Sequence, residues 1–146
     1  GGFSAGGHLA ASWGTKTHGY AHYHLPKPAV MLLSYPVITM TEKTHKGSRN
    51  CLLGKKADAG LVGAYSVEKQ VTADYPPSYV WQFDQDNMVP IDNTKLLVEK
   101  LKECKVKHQY ETFPGTAHGV GLGIGTPAEG WLERAIEFWE KEGSSI

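Results

Sequence analysis

The feature that most constrains the fold is an alternation of short apolar runs with amphipathic helical segments. Residues 29–34 form an apolar run bounded by Pro28 and Pro36, which is typical of a strand buried on both faces of a parallel sheet. Residues 79–83 and 106–113 are rich in β-forming side chains and predict two further strands. Strands that alternate with helices indicate an α/β fold with about three parallel strands and flanking helices.

Helical periodicity occupies three stretches between and after these strands. Residues 5–13 combine small side chains with Leu9 and Trp13 ahead of Gly14, which predicts a short helix, and residues 91–104 place apolar side chains on one face of a second predicted helix. The sequence Thr-Pro-Ala-Glu at 126–129 has the form of a capping box with proline at the first helical position, so we predict that the last helix begins there. The irregular stretch 35–77 is long for a plain connection, and such excursions often cover a site.

Composition and charge exclude several classes of partner. Fifteen basic residues balance fifteen acidic ones without a basic block, which argues against nucleic-acid binding. No apolar stretch approaches the roughly 20 residues of a membrane helix. Cys51 and Cys104 form neither a disulfide framework nor a zinc motif, so we expect a reducing, cytoplasmic setting. The 40% of apolar residues suits one core, and we expect residues 1–146 to form a single, partial domain.

The first motif with chemical potential is Gly-Phe-Ser-Ala-Gly at residues 2–6. A nucleophilic serine at a sharp strand-to-helix turn needs small neighbours, and Gly2 and Gly6 are expected to supply that clearance. The helix that follows directs backbone N–H groups toward Ser4, where an oxyanion would form. From the motif alone, a glycine turn leading into a helix explains the pattern equally well.

Two further candidates follow the second and third predicted strands. Asp86 lies just beyond residues 79–83, where a carboxylate can accept the Nδ1–H of a histidine. Asp84 is an alternative for this role, and Asp92 is more simply explained as a helix cap. His118 follows the third strand, and histidine is the usual proton shuttle near neutral pH. The chain order Ser4, Asp86, His118 is the order of the α/β-hydrolase triad.

Five motifs together carry a family resemblance. They are Gly-Phe-Ser-Ala-Gly-Gly-His-Leu-Ala at 2–10, Ser-Tyr-Pro-Val at 34–37, Pro76-Pro77 leading to Trp81, Asp86-x-x-Val89-Pro90 with Asn93, and Ala117-His118-Gly119. Along nearly its whole length the chain resembles the α/β-hydrolase esterases related to acetyl-xylan esterases and the hormone-sensitive-lipase group. The resemblance implies Ser4 as nucleophile, His118 as general base and acid, and Asp86 as the group that orients His118. It also implies that the backbone N–H of Ala5 forms half of the oxyanion hole.

The same resemblance implies a serine carboxylesterase that acts on small acyl esters, with acetylated carbohydrate as a candidate substrate and without a metal or organic cofactor. A peptidase or amidase on the same scaffold is the nearest alternative, and a non-catalytic α/β-hydrolase-like binding module is the alternative from another class. In the family, a His-Gly-Gly type loop well upstream of the serine completes the oxyanion hole, and residues 1–146 contain no such segment.

The glycine-rich start and this missing loop lead us to expect the C-terminal portion of a longer protein, without the N-terminal strands of the fold. The strand at residues 29–34 would then have only residues 1–3 as its partner on one side. We therefore expect residues 1–146 alone to self-associate through an exposed sheet edge and to have little esterase activity.

Overall fold

The computed structural model describes residues 1–143, which form one four-stranded parallel sheet. The strands are β1 (Gly2–Phe3), β2 (Met31–Ser34), β3 (Ser78–Phe83) and β4 (His108–Phe113), and they lie in the order β1-β2-β3-β4. The predicted α/β class and the three predicted strands are confirmed. The fourth strand, β1, is the two-residue segment that leads into Ser4.

Helices connect and cover these strands. They are α1 (Ser4–Trp13), α2 (Lys46–Leu53), α3 (Ala59–Tyr65), α4 (Asp92–Glu103) and α5 (Trp131–Gly143), with a 3₁₀ turn at Val67–Lys69. The predicted helices at 5–13 and 91–104 correspond to α1 and α4 within one residue at each end. In the part of the chain that is described, no helix is long and apolar enough to cross a membrane.

The predicted start of the last helix, with Thr126 as the cap and Pro127 as the first helical residue, is wrong, because α5 begins at Trp131. The side chains of the capping-box sequence do form local hydrogen bonds, but within a turn. Thr126 Oγ1 accepts the N–H of Ala128 at 3.2 Å, and Glu129 Oε2 accepts the N–H of Gly125 at 2.8 Å. Gly130 then adopts a φ of 85°, which is outside the helical region and separates this turn from α5.

The central strand β3 is buried along its whole length, because helices cover both faces of the sheet. Val80 packs on one face with Leu97 and Leu101 of α4. Tyr79 and Trp81 belong to the aromatic cluster on the opposite face, which α5 covers. Neighbouring strands on both sides and packing on both faces leave the carboxyl end of β3 little freedom, and Asp86 follows that end by three residues.

Candidate active site

Ser4 occupies a strained turn between β1 and α1. Its φ is 53°, in the left-handed region that non-glycine residues rarely adopt. A Cβ atom on Gly2 would lie 2.2 Å from the carbonyl oxygen of Gly6, so only glycine fits at this position. The Ser4 carbonyl accepts the N–H of Val37 at 2.9 Å, which ties the turn to the segment after β2. These contacts hold the serine at the carboxyl edge of the sheet.

Among the described residues, the second close approach beside the serine turn is at Gly7 and not at Gly6, where the motif predicts it. A Cβ on Gly6 would meet no atom within 4 Å, and Gly6 is exposed. A Cβ on Gly7 would lie 2.6 Å from Pro36 Cβ and 2.9 Å from Pro36 Cα. Gly7 therefore allows α1 to approach the chain that leaves β2. The Gly-Gly pair and the Ser-Tyr-Pro motif are the sequence signals that point to this contact.

The structure brings Ser4, Asp86 and His118 into one hydrogen-bonded chain. His118 Nε2 lies 2.8 Å from Ser4 Oγ, and His118 Nδ1 lies 2.7 Å from Asp86 Oδ2. The Asp86 side chain is fully buried, and that of His118 is 7% exposed. With the neutral imidazole protonated on Nδ1, His118 donates to the carboxylate and its Nε2 accepts the Ser4 hydroxyl proton. This arrangement can abstract a proton from Ser4.

The Asp86 carboxylate accepts four hydrogen bonds, which fix its orientation. Oδ1 accepts the backbone N–H groups of Met88 and Val89, each at 2.9 Å. Oδ2 accepts the Nε2–H of Gln82 at 3.2 Å in addition to the bond from His118. Gln82 is fully buried, and sequence reasoning missed it because a single polar residue within an apolar strand has no motif of its own.

The two alternative carboxylates lie elsewhere. Asp84 Oδ1 accepts the N–H of Gly115 at 3.0 Å, a bond that joins the turn after β3 to the loop after β4. Asp92 lies in the first turn of α4, whose N-cap position is Ile91 rather than Asp92. The cap explanation for Asp92 is therefore wrong by one residue. Of the three candidate carboxylates, Asp86 is the one bonded to His118.

Tyr35 supports the His118 ring and was also missed by sequence reasoning. The two ring centroids lie 4.7 Å apart, and the opposite contact of Tyr35 is an edge-to-face packing on Trp81 at 5.1 Å. The Tyr35 hydroxyl accepts the N–H of Gly121 at 3.2 Å, which anchors the loop that carries His118. Burial raises the pKa of this phenol above its ordinary value. The Ser-Tyr-Pro motif at 34–36 is the signal that marks it.

Two other histidines, His8 and His18, have structural contacts. His8 Nε2 lies 2.8 Å from the carbonyl oxygen of Tyr65, and burial lowers the pKa of the imidazole. This confirms that His8 is a packed, hydrogen-bonded helix residue. His18 stacks on the Tyr65 ring with centroids 4.5 Å apart. Within residues 1–143, no group of three or more His, Cys, Asp or Glu side chains has the arrangement needed to hold a metal ion.

A groove of about 1070 Å³ begins beside the candidate nucleophile. Ala5, the residue after Ser4, forms part of its wall, and other residues of α1 continue that wall. Tyr23 of the loop after α1 and Leu52 of α2 contribute apolar surface on other sides of the groove. The groove is large enough for a small organic molecule or part of a larger one.

Comparison with known proteins extends these observations. No family model matches the chain. It is 33% identical over 136 residues to endo-1,4-beta-xylanase B of Butyrivibrio fibrisolvens, a match that covers 89% of this chain and 21% of the relative. It is 32% identical over 145 residues to an acetylxylan esterase of Xylanibacter ruminicola, covering 96% of this chain and 29% of the relative. The chain thus spans less than a third of either relative.

A solved structure, an acetyl ester-xyloside bifunctional hydrolase from Caldicellulosiruptor lactoaceticus, superposes on 97% of the chain with a TM-score of 0.88 and 33% identity. The chain covers 55% of that hydrolase. The parallel sheet, the turn that carries Ser4 and these similarities agree on one assignment. The chain contains part of the α/β-hydrolase fold, and it is similar in sequence to acetylxylan esterases.

Proposed function

We propose that the protein is a serine carboxylesterase that hydrolyses small acyl esters through an acyl-enzyme intermediate. The observation that carries the proposal is the continuous contact from Asp86 through His118 to Ser4, at 2.7 and 2.8 Å. Such a chain needs a nucleophile, a base and a group that orients the base, and Ser4, His118 and Asp86 supply them in that order. The proposed reaction uses no metal or organic cofactor.

In the first half-reaction, Ser4 Oγ attacks the ester carbonyl while His118 Nε2 takes the hydroxyl proton. The tetrahedral intermediate collapses, the C–O bond to the alcohol breaks, and His118 gives its proton to the departing alkoxide. In the second half-reaction, His118 takes a proton from water, which attacks the acyl-serine. The bond to Ser4 Oγ then breaks, His118 returns the proton to the serine, and the carboxylic acid leaves. Asp86 remains ionised and stabilises the imidazolium.

The oxyanion of each tetrahedral intermediate needs N–H donors. We assign one to the backbone of Ala5, because it follows the nucleophile at the start of the ten-residue helix α1. The free N–H groups and the positive dipole end of that helix favour negative charge beside Ser4. Family resemblance assigns the second donor to a segment outside residues 1–146. Activity should therefore be measured on the protein at its full natural length, which is termed the intact protein below.

For the substrate, we propose an ester of a short acyl chain, with acetylated carbohydrate as the first class to test. The names of the similar proteins, an acetylxylan esterase and an acetyl ester-xyloside hydrolase, support this choice. A peptidase or amidase would share the acyl chemistry and differ in the pocket.

Fluorophosphonate labelling of the intact protein and its Ser4→Ala variant tests the reaction class. Stoichiometric modification of wild-type protein, mapped to Ser4 and absent in the variant, supports a serine hydrolase. Absence of labelling in a folded wild-type protein would favour a non-catalytic binding module. Rates on an acetyl ester, an acetylated xylo-oligosaccharide and a peptide amide then rank the substrate classes. An amide rate above both ester rates would replace the esterase proposal by the amidase.

A further inference from the structure

We propose that Gln82 is a positioning residue for the triad, with Thr94 and Tyr110 hydrogen-bonded in sequence behind its amide oxygen. This inference rests on the proposed function, because it assigns Gln82 a role in aiming the carboxylate of Asp86. Gln82 bonds to Asp86 itself, so its effect reaches His118 through that carboxylate.

Both amide protons of Gln82 have acceptors. Nε2 lies 3.2 Å from Asp86 Oδ2 and 2.7 Å from the carbonyl oxygen of Val89. Val89 is also one of the two residues whose N–H holds Asp86 Oδ1. The Gln82 side chain therefore binds the turn after β3 at two points, the backbone carbonyl of Val89 and the carboxylate of Asp86.

The amide oxygen of Gln82 has a hydrogen-bond partner on the side away from Asp86. Gln82 Oε1 lies 3.0 Å from Thr94 Oγ1, and Thr94 Oγ1 lies 2.7 Å from the Tyr110 hydroxyl oxygen. An amide oxygen only accepts, so in this orientation the Thr94 hydroxyl is the donor to Gln82, and the same hydroxyl also lies 3.2 Å from the carbonyl oxygen of Ile91. Thr94 has one proton for these two acceptors, so the Tyr110 hydroxyl donates to Thr94. The protons run in one direction, from Tyr110 through Thr94 and Gln82 to Asp86.

The acceptors around Nε2 determine which end of the amide meets the carboxylate. With the amide reversed, Gln82 Oε1 would face Asp86 Oδ2 and the carbonyl oxygen of Val89, and acceptors would meet in a buried site without a proton between them. The present orientation directs both amide protons to these acceptors and leaves Oε1 to accept from Thr94.

The need for Gln82 is specific to one oxygen of the carboxylate. Two backbone N–H groups hold Oδ1, while Oδ2 receives the protons of Gln82 and His118. Without Gln82, the imidazole alone restrains Oδ2, and the carboxylate gains freedom to turn about its Cβ–Cγ bond. The neighbouring side chains on this face of the sheet, Val80 and Leu97, are apolar. An apolar side chain at position 82 would suit this packing, whereas the amide of Gln82 also holds the carboxylate of Asp86.

The first test compares three variants of the intact protein in ester hydrolysis. Gln82→Met keeps the length of the side chain and removes both hydrogen-bonding groups. We expect kcat to fall about ten- to a hundredfold, the range found for residues that orient the metal-binding side chains of other proteins. KM should change by less than about twofold, because Gln82 is remote from the substrate. Thr94→Val should lower kcat by a smaller factor, and Thr94→Ser, which keeps the hydroxyl, should recover most of that loss.

A second measurement needs no substrate. We expect the Nδ1–H proton of His118, in its bond to Asp86, to give a downfield resonance in the proton NMR spectrum, and we expect Gln82→Met to shift or broaden it. Val98→Ala, another buried change on the same side of the sheet, is the control that lowers stability without altering this resonance. If the wild-type protein hydrolyses no ester, the proposed function fails, while this spectrum still tests the positioning role.

Two results would overturn the inference. One is a folded Gln82→Met protein with an unchanged downfield resonance and a kcat within about twofold of wild type. The other is a Thr94→Ser protein as impaired as Thr94→Val, because the hydroxyl would then be irrelevant. If thermal melting reveals that Gln82→Met does not fold, the comparison of kcat between Thr94→Val and Thr94→Ser tests the inference instead.

Discussion

The turn that carries Ser4 and the turn that carries Asp86 are built in different ways. Ser4 has a φ of 53° and follows β1, which in the described residues pairs with β2. Asp86 follows a strand of six residues that pairs with β2 on one side and β4 on the other. The first turn depends on close packing around Gly2 and Gly7, and the second depends on hydrogen bonds that saturate a carboxylate.

This difference predicts different sensitivities. At Gly7, a Cβ atom would lie under 3 Å from another segment of the chain, so the addition of a methyl group there should destabilise the fold. Where a carboxylate accepts four hydrogen bonds, as at Asp86, the loss of a charge or a donor is harmful and small changes in size matter less.

The largest effect is expected at the serine itself. Ser4→Ala removes the proposed nucleophile, and we expect kcat in the intact protein to fall by about 10⁶, as for other triad nucleophiles. The fold should persist, because one hydroxyl on a half-buried residue contributes little packing. Ester turnover and a thermal melt check the two parts. A variant that keeps a tenth of the activity would remove Ser4 from the mechanism.

The next effect separates the two neighbouring carboxylates. Asp86→Asn should lower kcat by about 10⁴, because the amide cannot keep His118 in the required tautomer. Asp84→Asn is the matched control, since the oxygen of the introduced amide can still accept the N–H of Gly115, and we expect only a small change in turnover. The reverse ranking would assign the acid to Asp84.

A third prediction concerns the sheet edge on the side of Ser4. In the described residues, β1 pairs with β2 only through Gly2 with Leu33 and Phe3 with Ser34. Unpaired backbone groups along a buried strand cost about 1–3 kcal/mol each, against a typical net stability of about 5–15 kcal/mol. We therefore expect residues 1–146 alone to be marginally stable and to associate through this edge.

Size-exclusion chromatography with light scattering measures this association directly. A dimer or larger species with little esterase activity is expected for residues 1–146 alone. A monodisperse monomer with a cooperative melt would contradict the prediction, and would indicate that the edge beside Ser4 is as well covered as the interior of the sheet.

A smaller effect compares two adjacent glycines of α1. Gly7→Ala places a methyl group against Pro36, and we expect it to destabilise the fold by about 1–3 kcal/mol through overpacking. Among the described residues, Gly6→Ala has open space and replaces glycine in a helix, so the stability of residues 1–146 alone should be unchanged or rise by up to about 1 kcal/mol. Urea unfolding of residues 1–146 measures both. An equal change in stability in the two variants would contradict this prediction and would indicate that Pro36 moves to accommodate the methyl group.

The smallest effect is a pH dependence from His8 of the same helix. Burial lowers the pKa of His8 below 6.5, so the unfolded chain binds more protons than the folded one between these two values. Stability should therefore fall as the pH drops below 6.5 toward the lowered pKa. Unfolding measured across this range in wild type and His8→Gln checks the sign, and the variant should have the shallower slope. A steeper slope in the variant would contradict it.

Much of this protein could be predicted from local sequence. The α/β class follows from apolar runs and helical periodicity, which depend on residues close together in the chain. The strand ends that precede Asp86 and His118 follow for the same reason. The capping-box sequence at 126–129 misled because its side chains bond equally well around a turn, and Gly130 decides between turn and helix through its backbone conformation.

Tertiary contacts decided the rest. Asp84 and Asp86 both follow β3 closely, and the bond to His118, 32 residues from Asp86, selects between them. Gly7 is required because of Pro36, and Gln82 meets Thr94 only because α4 packs on β3. Each of these choices depends on a distance between segments that are remote in sequence. Sequence alone determined the kinds of chemical groups and their order along the chain, whereas packing determined which of them touch.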